Sequence, residues 1–230
     1  AFIEDLENAN IAYKGVIKQN DLPTGCCNIL VSPDGERTMA THIGIGSQLH
    51  PDELTEDSLQ GIDHIYMESY LWDHDLTKQT LKKVGKIAKT MNIETSLSLS
   101  DPFCVDRHRD ELKEFIEEYV DLVFCNFDEA KMFAQSETMA DVSAFFQSFG
   151  KKIAMTASAE GAYYFHGETV AHQPAQKIEQ VIDTTGAGDN FAAGFLDQYL
   201  SDKTIDEALA QGNARAGEVI QQLGPRIKRH

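Results

Sequence analysis

The sequence predicts an α/β fold: a three-layer sandwich with a mostly parallel sheet flanked by helices, plus a small β element near its start. Two observations predict it. From Pro51 onward, short apolar strand runs alternate with stretches of helical periodicity, which is the pattern of a parallel sheet covered on both faces. Before Pro51 the pattern is β-rich and carries a strong turn signal, Ser32-Pro33-Asp34-Gly35. The division that follows is 1–50 for the β-rich start and 51–230 for the α/β core. No internal repeat, low-complexity segment or clear linker interrupts it.

In chain order, Phe2, Leu6 and Ile11 among acids and asparagines read as the end of a helix. Strands are expected at Tyr13–Ile17, Gly25–Val31 and Glu36–Ile43, the last two joined as a hairpin. Ile62–Met67 reads as a buried strand, and Leu81, Val84, Ala88 and Met91 recur at helical spacing. Thr95–Leu99 is a strand, and Leu112, Phe115, Ile116 and Tyr119 mark a second amphipathic helix. Leu122–Cys125 is a short strand, after which Glu129–Phe133 opens a helix. Lys152–Thr156, Gly161–Phe165 and Glu168–His172 read as strands, the last two antiparallel. Val181 and Ile182 look like a strand end, a long helix follows Asp189, and a final helix carries Ile205, Ala208, Leu209, Gly212, Ala216 and Val219.

Composition narrows the function. The chain has 230 residues, 42% of them apolar, so its core needs no covalent staples. A net charge of −17 with no sustained basic patch argues against a nucleic-acid partner. No apolar run reaches the length of a membrane span, so no membrane partner is expected. The opening Ala1-Phe2-Ile3-Glu4-Asp5 lacks the basic and apolar regions of a signal peptide, and a cytoplasmic location is the default expectation. Cys26, Cys27, Cys104 and Cys125 form no C-x-x-C pair and are read as reduced thiols. Asp73-His74-Asp75 has a metal-like look but precedes a helix, where capping is the better reading.

The chemistry concentrates in Val181-Ile182-Asp183-Thr184-Thr185-Gly186-Ala187-Gly188-Asp189-Asn190-Phe191. A turn of small residues opens a helix whose periodicity continues through Phe195 and Tyr199. Free amides at such a start, aided by the helix dipole, form an anion site, and Gly and Ala let a phosphate approach the backbone. Asp189 stands at the mouth of that site. It is either a general base placed beside a transferring phosphoryl group or an N-terminal acid that favours the dipole. The turn is neither a Walker A loop nor a dinucleotide fingerprint, because the required Lys and Gly spacings fail.

Asp183-Thr184-Thr185-Gly186-Ala187-Gly188-Asp189 resembles the C-terminal signature of the ribokinase-like (PfkB) kinases, in the adenosine-kinase-like branch. The resemblance implies that Gly186, Ala187 and Gly188 form the anion hole for the transferred group and that Asp189 is the base. Further matches fall in the family's order. Asn126-Phe127-Asp128-Glu129 resembles the N-x-x-E motif that organises magnesium and phosphates, with Glu129 toward the metal. Thr156-Ala157-Ser158-Ala159-Glu160-Gly161 resembles the segment beside the nucleotide, with Ser158 where glycine is common. Asn213 and Ala216 fall on a helix that resembles the one bordering adenine. Asp183 and Thr185 match positions that hold a monovalent cation such as K+ in many relatives. Pro23–Gly25 through Arg37 and Thr38 resembles the lid hairpin, which implies a homodimer through the lid. Ser100–Arg109 resembles a stretch of adenosine-kinase-like enzymes, with Phe103 or Arg107 lining the site, and favours a nucleoside acceptor over a free sugar.

The resemblance therefore implies an ATP- and Mg2+-dependent kinase acting on a hydroxyl of a small-molecule alcohol, a nucleoside or sugar. The alternative is a kinase-like nucleotide-binding or interaction module without catalysis. The early strand, its Asp, the Gly-Gly pair and the Asn usual in the family have no counterpart here. The expectation is that the sequence is an N-terminally incomplete form of a longer protein.

Overall fold

The computed structural model describes residues 2–13, 15, 22–33 and 37–227. A short helix, α1 (Phe2–Asn8), is followed by an antiparallel pair, β1 (Cys26–Val31) and β2 (Arg37–His42), in register from Cys26 opposite His42 to Val31 opposite Arg37. This is the expected hairpin, although Asp34 and Gly35 of its turn lie outside the described residues. The expected strand at Tyr13–Ile17 lies mostly outside them as well, and Tyr13 itself is in no strand.

The second sheet has six strands: β3 (His64–Glu68), β4 (Glu94–Ser98), β5 (Leu122–Asn126), β6 (Lys152–Thr156), β7 (Ala162–His166) and β8 (Thr169–Gln173), side by side in chain order. The pairings from β3 to β6 are parallel, and β7 and β8 add antiparallel. Between the parallel strands run α2 (Asp75–Met91), α3 (Pro102–Tyr119), α4 (Phe127–Ala134) and α5 (Met139–Phe149). After β8 come α6 (Ala187–Tyr199) and α7 (Ile205–Val219).

The period-two alternation of strand side chains sorts the core into two layers. Val123 and Cys125 of β5, with Met67, Leu97 and Ile153, pack with Leu81, Leu112, Phe115, Phe133 and Phe146 from α2–α5. Leu122 and Phe124 turn to the other face, against Phe191, Phe195 and Leu209 of α6 and α7. Trp72, Phe146, Phe165 and Phe195 are fully buried, each contributing about 1.5–3 kcal/mol of transfer free energy. The three-layer sandwich is thus as expected.

Three local readings are corrected. Val181 and Ile182 belong to no strand; they are 40% and 37% exposed, and the Ile182 amide donates to the Ile220 carbonyl at 2.8 Å. The helix expected to open at Glu129 begins at Phe127 and ends at Ala134, and a separate α5, capped by Thr138, follows it. Asp73-His74-Asp75 does not cap α2 through a side chain. Asp73 instead accepts bonds from Arg107 at 2.8 Å and from His108 at 2.9 Å, which tie the start of α2 to α3.

Candidate active site

The parallel strands end together, and their carboxyl edge carries the candidate residues. Glu68 lies opposite Ser98, and Asn126 opposite Thr156. Helix α6 presents its N-terminus here, because Phe191 and Phe195 pack edge-on against Phe124 of β5. Ligands of open α/β sheets bind in this position, outside the carboxyl ends of the strands.

The start of α6 has an uncommon construction. Gly186 takes a left-handed conformation (φ 77°) at the N-cap, and no side chain caps the helix. The Ala187 amide reaches the Thr184 carbonyl at 3.2 Å. The next amides, of Gly188 and Asp189, fall within the first turn, where no intrahelical acceptor exists. Beyond its own turn, a β-carbon built on Gly188 would meet no atom of the described residues within 4 Å. The turn is therefore open outward, with backbone donors and a helix dipole facing the opening, which fits a phosphate. The Asp189 side chain is exposed at the same place.

Asp189 has acidic company that no sequence pattern announced. Glu68 keeps an exposed surface, yet the surrounding protein desolvates it and, with the negative Asp189 nearby, pushes its carboxyl up from the usual range. Desolvation, helped by the charges of Asp101, Glu129, Glu68 and Asp189, pushes the Tyr70 hydroxyl up to about 12. These residues share one electrostatic neighbourhood. A lone Glu at a strand end carries no sequence signal.

Asn126 and Glu129 form a reciprocal capping box at the start of α4: the Glu129 amide donates to Asn126 Oδ1 at 2.9 Å, and the Asn126 amide to Glu129 Oε2 at 3.0 Å. Glu129 is 5% exposed, and its burial, against the Asn126 backbone bond and with Asp101 and Asp128 nearby, pushes its carboxyl up to about 7. The cap engages this carboxyl, whose raised pKa marks it as short of positive charge, a setting that a nearby cation would relieve. Among the described residues, no group of three His, Cys, Asp or Glu side chains gathers closely enough to hold a metal. A divalent ion here would lean on water and phosphate oxygens, as magnesium commonly does.

The loop after Thr156 keeps the backbone a glycine would give it. Ser158 itself adopts φ 49°, and Gly161 takes φ 99°. A β-carbon on Gly161 would lie 2.1 Å from the Gln173 carbonyl oxygen. Asn213 on α7 donates to that same Gln173 carbonyl at 2.9 Å, and partly buried Ala216 packs against the second core layer. Gly161 and Asn213 thus meet at Gln173 and Pro174, with Asn213 in a plainly structural bond, while Thr156 pairs with Ala162 across the sheet and the Gly161 amide donates to the Ser158 carbonyl at 3.1 Å.

Asp183 and Thr185 are buried behind the turn. Asp183 Oδ1 accepts from the Thr185 amide and hydroxyl at 2.8 and 2.6 Å, and Oδ2 from the Gly224 amide at 2.8 Å. Burial alone would raise this carboxyl; the hydrogen bonds outweigh it and hold it below the usual range. From the hairpin, Arg37 donates to Thr184 Oγ1 at 2.5 Å and brings a guanidinium to the turn. Phe103 stands 71% exposed at the start of α3. Two cavities, of about 460 and 370 Å³, lie elsewhere: one beside Arg109 and Lys131, the other beside Asp121 and Lys151.

Fold and edge together define the class: a three-layer α/β protein with an uncapped, glycine-led helix start at the carboxyl end of parallel strands. The chain belongs to the pfkB family of carbohydrate kinases, whose family model matches residues 1–229. It is 36% identical to the crystal structure of adenosine kinase from Sinorhizobium meliloti, with a TM-score of 0.94 over 98% of this chain and 69% of that one. A probable sugar kinase protein from Rhizobium etli is 35% identical, with a TM-score of 0.93, covering 98% and 68%. Adenosine kinase from Schizophyllum commune is 26% identical over 98% of this chain and 69% of its own length. For adenosine kinase 2 of Arabidopsis thaliana the identity is 26%, over 88% and 63%. The chain thus spans about two thirds of the length of these relatives. No helix among the described residues is long and apolar enough to cross a membrane.

Proposed function

We propose that this chain carries the phosphoryl-transfer machinery of an ATP-dependent kinase that phosphorylates a hydroxyl of a nucleoside or sugar. The observation that carries the reading is the uncapped start of α6, with exposed Asp189 standing beside its free amides. Bound ATP with Mg2+ would supply the γ-phosphoryl group and charge neutralisation. The residues do the rest. The Gly186–Gly188 turn orients amide donors toward the transferring group, where preorganised dipoles act most strongly. Asp189 accepts the proton of the acceptor hydroxyl. Asn126 and Glu129 stand on the metal and phosphate side, and Thr156, Ser158, Gly161, Asn213 and Ala216 on the nucleotide side. Arg37, carried by the hairpin, adds a positive charge beside the turn.

A K+ ion would be held at Asp183 and Thr185, the Asp183 carboxylate keeping acceptor capacity on Oδ2 beyond the three hydrogen bonds it already accepts. Adenosine is the first acceptor to try, supported by the names of the relatives. Steady-state kinetics of the full-length protein with adenosine, ribose and fructose tests both acceptor and base. Asp189→Asn should keep the fold and lower kcat roughly 10²–10⁴-fold on the best acceptor. Near-full kcat in that variant would reduce Asp189 to a helix-start acid.

A homodimer through the hairpin is the remaining part of the reading. Leu30 and Met39, 73% and 49% exposed on the two strands, support it. Sedimentation of the full-length protein should give a dimer that Leu30→Glu dissociates; a monomer at all concentrations would end this part.

A further inference from the structure

The turn that opens α6 does not hold its own shape. Gly186 sits in a left-handed conformation, and its carbonyl accepts both the Asn190 amide, at 2.9 Å, and Asn190 Nδ2, at 2.8 Å. The second Nδ2 hydrogen goes to the Pro225 carbonyl at 3.0 Å, 35 residues downstream. The Pro225 ring packs on Gly186, so that a β-carbon built there would lie 2.6 Å from the Pro225 Cβ. One residue earlier, the Gly224 amide donates to buried Asp183 at 2.8 Å. The Ile182 amide donates to the Ile220 carbonyl. The segment from Ile220 to Pro225 therefore lies along the back of the turn and is fastened at both of its ends.

Asn is a poor choice for a helix interior on propensity alone, because its side chain competes for backbone groups. Here that competition is the link: one side-chain amide bridges the helix N-cap and the C-terminal segment. We infer that Asn190 is a positioning residue, which uses the Gly224–Pro225 segment as a strap to aim the first-turn amides of α6 and the Asp189 carboxylate. The inference rests on the reading of that turn as the phosphoryl site. It assigns Asn190 no contact with substrate. Its effect belongs in the chemical step, since small displacements of reacting groups weaken transfer far more than they weaken binding.

The test compares Asn190→Ala, Asn190→Ser and Asp189→Asn in the full-length protein. ADP formation is followed with Mg–ATP and adenosine, or ribose where adenosine is not turned over, and each variant is melted. Ser retains a hydroxyl able to bond the Gly186 carbonyl but is too short to reach Pro225, so it removes the strap and keeps the local bond. Both Asn190 variants should lose about 10-fold in kcat with KM for ATP and acceptor held within about twofold. Their melting temperatures should stay close to that of the parent. A lower melting temperature with unchanged kcat makes Asn190 merely structural and overturns the proposal. So does a large fall in Asp189→Asn beside an unaltered Asn190→Ser. If Asp189→Asn itself keeps kcat, the reading of the site falls and this inference falls with it. Should Asn190→Ala fail to fold, Asn190→Ser alone decides.

Discussion

At Gly186 an added β-carbon would meet the Pro225 ring, whereas at Gly188 it would meet open space. The two substitutions should therefore fail differently. Gly186→Ala forces a side chain into a left-handed conformation and against Pro225, and should destabilise the fold by about 1–3 kcal/mol. Gly188→Ala adds a good helix former where nothing crowds it, so the melting temperature should hold or rise. Its methyl group projects into the space read as the phosphate site, so Mg–ATP affinity by calorimetry should drop. Equal ATP affinity in Gly188→Ala would remove Gly188 from the site. Residue identity made much of this turn legible, because only small residues admit such a helix start. Identity alone did not show that Asp183 would be satisfied by Thr185 and Gly224, or that Ser158 would take a left-handed backbone. Nor did it show that Arg107 would be engaged with Asp73.

Helices α6 and α7 approach closely because glycines face the contact. A β-carbon on Gly194 would stand 2.7 Å from the Gln211 carbonyl oxygen, and one on Gly212 would stand 2.7 Å from the Phe191 ring. In an isolated helix Gly194→Ala would gain about 1 kcal/mol. Here the obstruction is backbone, so overpacking, at about 1–3 kcal/mol, should win. A chemical melt should show Gly194→Ala less stable than the parent, and equal or greater stability would mean that the pair can separate freely. The periodicity of Phe191, Ala192, Phe195 and Tyr199 announced α6 correctly, since those residues do meet the sheet. The apolar pair Val181 and Ile182 misled because two apolar residues fit a strand as well as a partly covered loop. Helix α5 could have been read from its ends: Thr138 caps it with a bond from the Asp141 amide, and Gly150 closes it in a left-handed turn.

Across the whole molecule, the end of the sheet opposite the candidate site holds a second polar group. Lys152 donates to Glu94 at 2.8 Å, Tyr199 donates to the same oxygen at 2.5 Å, and His64 Nε2 pairs with Ser96 at 2.8 Å. Among the described residues His64 Nδ1 is buried with no hydrogen bond of good geometry, 3.7 Å from Glu94. Burial lowers the His64 pKa below its ordinary 6.5, against the pull of Glu94 and Asp121 and with a small push from Lys152. A folded-state pKa below the unfolded one means that the unfolded chain binds the proton first as pH falls. This group's destabilising contribution is absent at neutral pH and grows as pH drops below about 6.5. Melting temperatures of the parent and His64→Gln between pH 7.5 and 5, roughly spanning the histidine range, should converge or cross toward acid. Parallel curves would show that His64 titrates alike in both states.

The sequence by itself determined the strand and helix alternation, the hairpin and the Asp183–Asp189 turn. Each follows from local rules: side-chain period, turn chemistry and the small residues that a helix-start anion site requires. Only the tertiary structure decided that Glu68 would stand near Asp189, that Arg37 would reach Thr184, and that Pro225 would back Gly186. Those meetings join segments far apart in the chain. They depend on the order of the parallel strands and on which helix covers which face, and both are settled by burying two sides of one sheet at once rather than by any local stretch of residues.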